Sequence, residues 1–208
     1  MYQLFYSPGA CSMAVHVLLN ELQQPVTLTK VDLSQPRPAE LLKHNARGQV
    51  PTLVDGDLSV VEGAAIMLHL ADKHPTPLLP ATPGRERSSA LQWLMFCNAS
   101  LHPAYSKFFG AQRIQLDAPV KDQLIKSYVD QINNLWQMVE QRLEHSPYLA
   151  GDNPTLADIL CAVIANWAQA ETRIQRGPKT KALLQKIIAR PAYQQALQAE
   201  QVDYKAAA

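Results

Sequence analysis

The sequence predicts two units in series: a mixed α/β unit of order βαβαββα over residues 1–76, then an all-α unit over residues 86–208. Three observations point there. Short alternating apolar runs interleave with helically spaced runs only before residue 75. Pro75-Thr-Pro-Leu-Leu-Pro-Ala-Thr-Pro-Gly84 is too rich in proline for the interior of a helix or strand, which marks residues 77–85 as a linker. Beyond it every long apolar pattern has the helical period, and there is no internal repeat.

Taken in order, Tyr2-Gln-Leu-Phe5 alternates and opens a strand over 2–6. Pro8 and Gly9 turn the chain, and residues 12 to about 23 run without a breaker as a helix. Gln24-Pro25 ends it, and Val26-Thr-Leu-Thr-Lys-Val31 alternates as a half-buried strand. Two strands joined by a helix imply a right-handed parallel crossover. Pro36 and Pro38 open a short helix, 39–44, that stops near Gly48. Runs 50–54 and 58–61 flank Asp55-Gly56-Asp57, a strong hairpin signal. Glu62-Gly63 starts a helix reaching Lys73. The second unit reads as helices over 85–110 with a kink at Pro103, 119–144, 157–170, 179–189 and 192–199. Residues 157–170 are apolar nearly all round, as in a buried helix, and the tail 206–208 is expected to fray.

A chain of 208 residues with 47% hydrophobic and 18% charged residues can bury a proper core. Its net charge of +1, without a long basic run, removes the electrostatic reason to expect nucleic acid or an anionic membrane surface. No signal segment and no apolar run of bilayer length is present. Cys11, Cys97 and Cys161 are too scattered for a disulfide framework and form no C-x-x-C pair, which fits a reducing, cytoplasmic setting.

Among residues with chemistry, Cys11 stands out. It lies at the start of a helix, where unpaired N–H groups and the dipole favour an anion, and a thiolate is the reactive form of a thiol. A thiol facing a bound thiol cofactor and a small residue packed at the junction are equally compatible with the spacing. The hydroxyls of Tyr6 and Ser12 can aim at the same point, although turn capping explains Ser12 equally well. At Val50-Pro51 the sequence favours an edge-strand proline over a cis bend that would expose the Val50 backbone to a ligand. Glu62-Gly63 is either ordinary capping or a pair that takes an ammonium and a carboxylate, as in a ligand with an α-amino-acid end.

Gly151-Asp-Asn-Pro-Thr155-Leu-Ala-Asp158 is a capping signature with a folding role. His102 reads more simply as a packed polar residue. The other histidines lack metal-ligand spacing, so no metal is expected. Cys97, Cys161 and all three tryptophans (93, 136 and 167) read as core.

Taken together, Phe5-Tyr-Ser-Pro-Gly-Ala-Cys-Ser12, Gly48-Gln49-Val50-Pro51, Glu62-Gly63 and the Thr155–Asp158 box resemble the cytosolic glutathione S-transferases, closest to the bacterial beta class. The resemblance covers nearly the whole chain. It implies a thioredoxin-like first domain, an all-helical second domain, and a homodimer that binds glutathione between the domains. It places Cys11 opposite the glutathione sulfur, the Val50 backbone on the cysteinyl part with a cis Pro51, Glu62 and Gly63 on the γ-glutamyl end, and His102 at the site from the helical side.

The chain departs from the class in three places. It is short after Val31-Asp-Leu33 and lacks a clear counterpart of a lysine usually found there, for which Arg37 is a candidate substitute. It has Leu94-Met-Phe96 where an asparagine is common, and His102-Pro103 where His-Lys is usual.

The implied activity is attack by the glutathione thiolate on a small, apolar electrophile, with the helix end and nearby hydroxyls stabilising the anion and the electrophile's site built largely from the helical domain, including residues around 99–113. Lowering a thiol pKa by ~2 units corresponds to roughly 2.7 kcal/mol of preference for the anion. Two other readings remain: a thiol transferase or disulfide reductase working through a Cys11 mixed disulfide, and a non-catalytic ligand-binding relative.

Overall fold

Strand β1 (Tyr2–Tyr6) sits inside a four-stranded sheet ordered β2-β1-β3-β4, with β2 at Val26–Lys30, β3 at Thr52–Asp55 and β4 at Leu58–Val61. The computed structural model describes residues 1–207. β1 pairs parallel with β2 and antiparallel with β3, in a register that sets Leu4 against Leu28 and Leu53. Helix α1 (Ser12–Glu21) makes the parallel crossover, and the Asp55–Leu58 turn closes the β3–β4 hairpin. Alternation on β1 sends Leu4 to the main core and Phe5 to a small second cluster with Val31 and Leu41 from α2 (Ala39–His44). Burying a side chain such as Phe5 contributes about 1.5–3 kcal/mol.

α1 is buried from Ser12 to Leu19 and packs against α3 (Gly63–Lys73) as well as the helical domain. That domain holds α4 (Arg85–Phe96), α5 (His102–Arg113), α6 (Ala118–Leu143), α7 (Leu156–Ala165), α8 (Pro178–Ile188) and α9 (Pro191–Glu200).

The predicted kink at Pro103 takes the form of a π-helical turn one step earlier, Cys97–Leu101. A proline inside a helix removes an N–H and crowds the carbonyl four residues back. The widened turn relieves this: His102 N–H reaches back to the Cys97 carbonyl, and α5 starts there.

α7 is buried along its whole length and is locked by its capping box. Asp158 Oδ2 accepts the Thr155 N–H (2.7 Å) and hydroxyl (2.9 Å), while Oδ1 accepts the Leu149 N–H (2.9 Å). The helix stops at Ala165 rather than near 170, because the chain turns at Ala168, in the left-handed region at φ 53°. The tail does not fray as expected at 206–207. Ala206 is buried in the core and the Ala207 carbonyl accepts Gln185 Nε2; residue 208 lies outside the described residues. Among the described residues no helix is long and apolar enough to cross a membrane.

Candidate functional site

A cavity of about 790 Å³ opens between the sheet and the helical domain. It is lined by the turn 7–11, the segment 47–51, Glu62-Gly63, the cavity face of α5, and Trp167.

The turn is held from both domains. Gly9, at φ 67°, adopts the left-handed conformation that glycine tolerates, and its N–H donates to buried Glu200 Oε2 (3.0 Å). Its carbonyl accepts Trp167 Nε1 (2.8 Å). Glu200 is in turn paired with His16 Nδ1 (2.9 Å). The turn is closed internally by Ser12 Oγ, which accepts the Ser7 N–H and donates to the Ser7 carbonyl (both 3.2 Å). Ser12 is fully buried, and Tyr6 is buried beside the His16 ring. Neither side chain lines the cavity, so the expectation that their hydroxyls aim at a sulfur there is corrected.

Cys11 does line the cavity, as the N-cap of α1, and it keeps partial exposure. Its ionisation runs opposite to expectation. Desolvation dominates and pushes the thiol up to about 11, helped by the charge of Glu62. The N–H groups of Cys11 and Ser12 pull the other way and are outweighed. The neutral thiol donates to the Val50 carbonyl at 3.5 Å.

Val50-Pro51 is a cis peptide. The edge-strand reading fails, because Pro51 precedes β3 and β3 lies between β1 and β4. Asn45 braces the segment: its Nδ2 donates to the Gln49 carbonyl and to Thr52 Oγ1 (both 3.1 Å). Gly48, at φ 60°, lets Arg37 approach closely enough to donate from Nε to its carbonyl (2.9 Å). The Arg37 guanidinium also donates to the carbonyls of Leu33 and Gln35. Arg37 therefore ties the 32–48 loop together more than it faces the cavity.

Glu62 caps α3 at φ 71°, an uncommon conformation for a residue with a side chain, and Gly63 opens the helix against the Pro51 ring. Glu62 is the one carboxylate of the lining, and exposed Arg47 pairs with it at 3.0 Å.

On the helical wall His102 meets the Trp167 ring edge-on, with centroids 4.9 Å apart. Burial lowers its pKa, against the opposing charge of Glu62, so the imidazole is neutral at pH 7. Of the predicted residues, the fold thus gathers Cys11, Gln49, Val50, Pro51, Glu62, Gly63 and His102 on one cavity. It adds Arg47, Asn98, Ser106, Phe109, Arg113 and Trp167. Trp167 reads as core from its sequence context. Only its approach to Gly9, 158 residues away in the chain, gives it another place. Trp136 is core, with its indole N–H on the Tyr105 hydroxyl.

Residues 4–78 match the glutathione S-transferase N-terminal domain, and residues 89–191 match the glutathione S-transferase C-terminal domain. The chain belongs to the glutathione S-transferase family. Glutathione S-transferase GST-4.5 of Xanthomonas campestris pv. campestris is 33% identical over 204 residues, spanning 95% of this chain and 98% of that one. The disulfide-bond oxidoreductase YfcG of Escherichia coli K12 is 32% identical over 95% of this chain and 94% of its own. Among solved structures, a glutathione S-transferase from Xylella fastidiosa superposes with a TM-score of 0.89 at 28% identity, covering 98% of this chain and 100% of that one. The thioredoxin-like sheet domain and helical domain are the arrangement of this family.

Proposed function

We propose that the protein is a glutathione transferase that conjugates glutathione to small electrophiles, working as a homodimer in the cytoplasm. One observation carries this reading: a single cavity offers three stations suited to the three parts of the tripeptide. Glu62 and the first turn of α3 suit the ammonium and carboxylate of the γ-glutamyl end. The Val50 backbone suits the cysteinyl amide. The start of α1, where Cys11 holds a neutral S–H at the cavity, suits a sulfur that accepts a hydrogen bond.

A thiol held near 11 stays protonated at pH 7, so Cys11 acts as a donor rather than a nucleophile. In this mechanism the glutathione thiolate attacks the electrophilic carbon, the S–C bond forms, and a leaving group such as chloride departs with its electron pair. The thiol proton goes to solvent. Binding of an ammonium at Glu62 cancels the one charge that raises the Cys11 pKa.

A second reading has support in the relative YfcG, a disulfide-bond oxidoreductase. There Cys11 would form a mixed disulfide with glutathione, which a second glutathione would resolve. Cys11→Ala separates the two. Conjugation of 1-chloro-2,4-dinitrobenzene is expected to survive within about 10-fold, while reduction of a small disulfide with glutathione is lost. Equal collapse of both activities would sink the conjugation reading.

A further inference from the structure

The charges around the cavity are unevenly committed. Its lining carries one carboxylate, Glu62, and three guanidinium groups, Arg37, Arg47 and Arg113. Arg37 is taken up by loop carbonyls and Arg47 by Glu62. Arg113, exposed in the last turn of α5, has no carboxylate within ion-pair distance among the described residues. It is the uncommitted cation of the cavity.

Its position on α5 is orderly. His102, Ser106, Phe109 and Arg113 follow at i, i+4, i+7 and i+11, so they share one helical face, and all four line the cavity. The His102 end lies against Trp167, whose indole holds Gly9, two residues from Cys11. From there the face runs past a hydroxyl and an aromatic ring to the cation. The helical rise separates the ends by about 16 Å, and the long Arg113 side chain leaning back over one turn shortens this to about 11 Å.

We infer that this face selects electrophiles with an apolar, aromatic body and a carboxylate or sulfonate tail at the end remote from the reacting carbon, held by Arg113. Resting on the transferase reading, this names the substrate class of the same site. The ring packs on Phe109, and the anion meets a guanidinium suited to planar, bidentate acceptors.

The test uses two probes of equal reactivity: an N-(carboxyalkyl)-4-chloro-3-nitrobenzamide and its neutral N-(carbamoylalkyl) counterpart, each with glutathione. In both, sulfur replaces chloride at the same carbon, chloride leaves with its electron pair, and the thiol proton passes to water. With the intact protein, kcat/KM is expected to be about 5-fold higher for the anionic probe, the size of an exposed ion pair. Raising ionic strength from about 0.05 to 0.5 M should shrink that ratio. Arg113→Gln should bring it close to one, Arg113→Glu below one, and Arg113→Lys should retain most of it.

Turnover of both probes with a ratio near one in the intact protein overturns the inference and leaves the transferase reading standing. A ratio unchanged in Arg113→Gln also overturns it; a raised KM for glutathione would then assign Arg113 to the tripeptide, and a lowered melting temperature alone to the end of the α5 dipole. No turnover of either probe above the uncatalysed rate removes the transferase reading and the inference with it.

Discussion

The two walls of the cavity are built on different principles. The sheet-domain wall (turn 7–11, segment 48–51, Glu62-Gly63) presents mostly backbone in unusual conformations: positive φ at Gly9, Gly48 and Glu62, and a cis bond before Pro51. The helical wall presents side chains from one face of α5 and from the end of α7. A backbone wall recognises something constant, because changing its side chains scarcely alters it. A side-chain wall can be rewritten one substitution at a time. On the proposed transferase reading, the constant co-substrate belongs to the first and the variable electrophile to the second.

The largest effect that would break this contrast lies at Cys11, the one titratable side chain the backbone wall places at the start of α1. Alkylation of Cys11 by iodoacetamide, followed by mass spectrometry of its peptide, should be slow at pH 8 and rise about 10-fold per pH unit towards about 11. A rate that levels off near pH 8 would mean the helix start wins over burial. Next in size, Asp158→Ala removes the acceptor of three hydrogen bonds at the root of α7. It should cost about 3 kcal/mol, lowering the melting temperature by roughly 6–12 °C. Glu62→Gln should then raise the KM for glutathione by about 30-fold, near 2 kcal/mol for a lost charge-assisted contact, with little change in stability because the Arg47 pair is exposed. The smallest effect is expected at Trp167→Phe, which keeps the ring stack but removes the bond to Gly9. A several-fold loss in kcat/KM, about 1 kcal/mol, would show that the helical wall also positions the turn. Unchanged kinetics there would leave the two walls independent.

Legibility follows the same division. The βαβαββα order, the hairpin at Asp55-Gly56-Asp57 and the capping box at Thr155–Asp158 depend on residues within a few positions of one another, and they are readable as written. So is the gathering of motif residues on the backbone wall, once their joint resemblance to a family is seen. Ser12 misleads because a hydroxyl at a helix start has two local partners to choose from, and only coordinates show that it bonds Ser7. Trp167 is unreadable for another reason, and for Arg113 only the stretch around 99–113 is legible, not its lack of a partner. Nothing near either in the chain says what lies across the cavity from it.

By itself, then, the sequence determined which elements form, where they begin and end to within a few residues, and which family they belong to. Tertiary structure decided that burial raises the Cys11 thiol, that Glu200 and Trp167 clamp Gly9, and that one arginine remains uncommitted at the cavity. The physical reason is range. Helix spacing, turns and caps are set by near neighbours, whereas desolvation and pairing depend on groups brought together from distant parts of the chain.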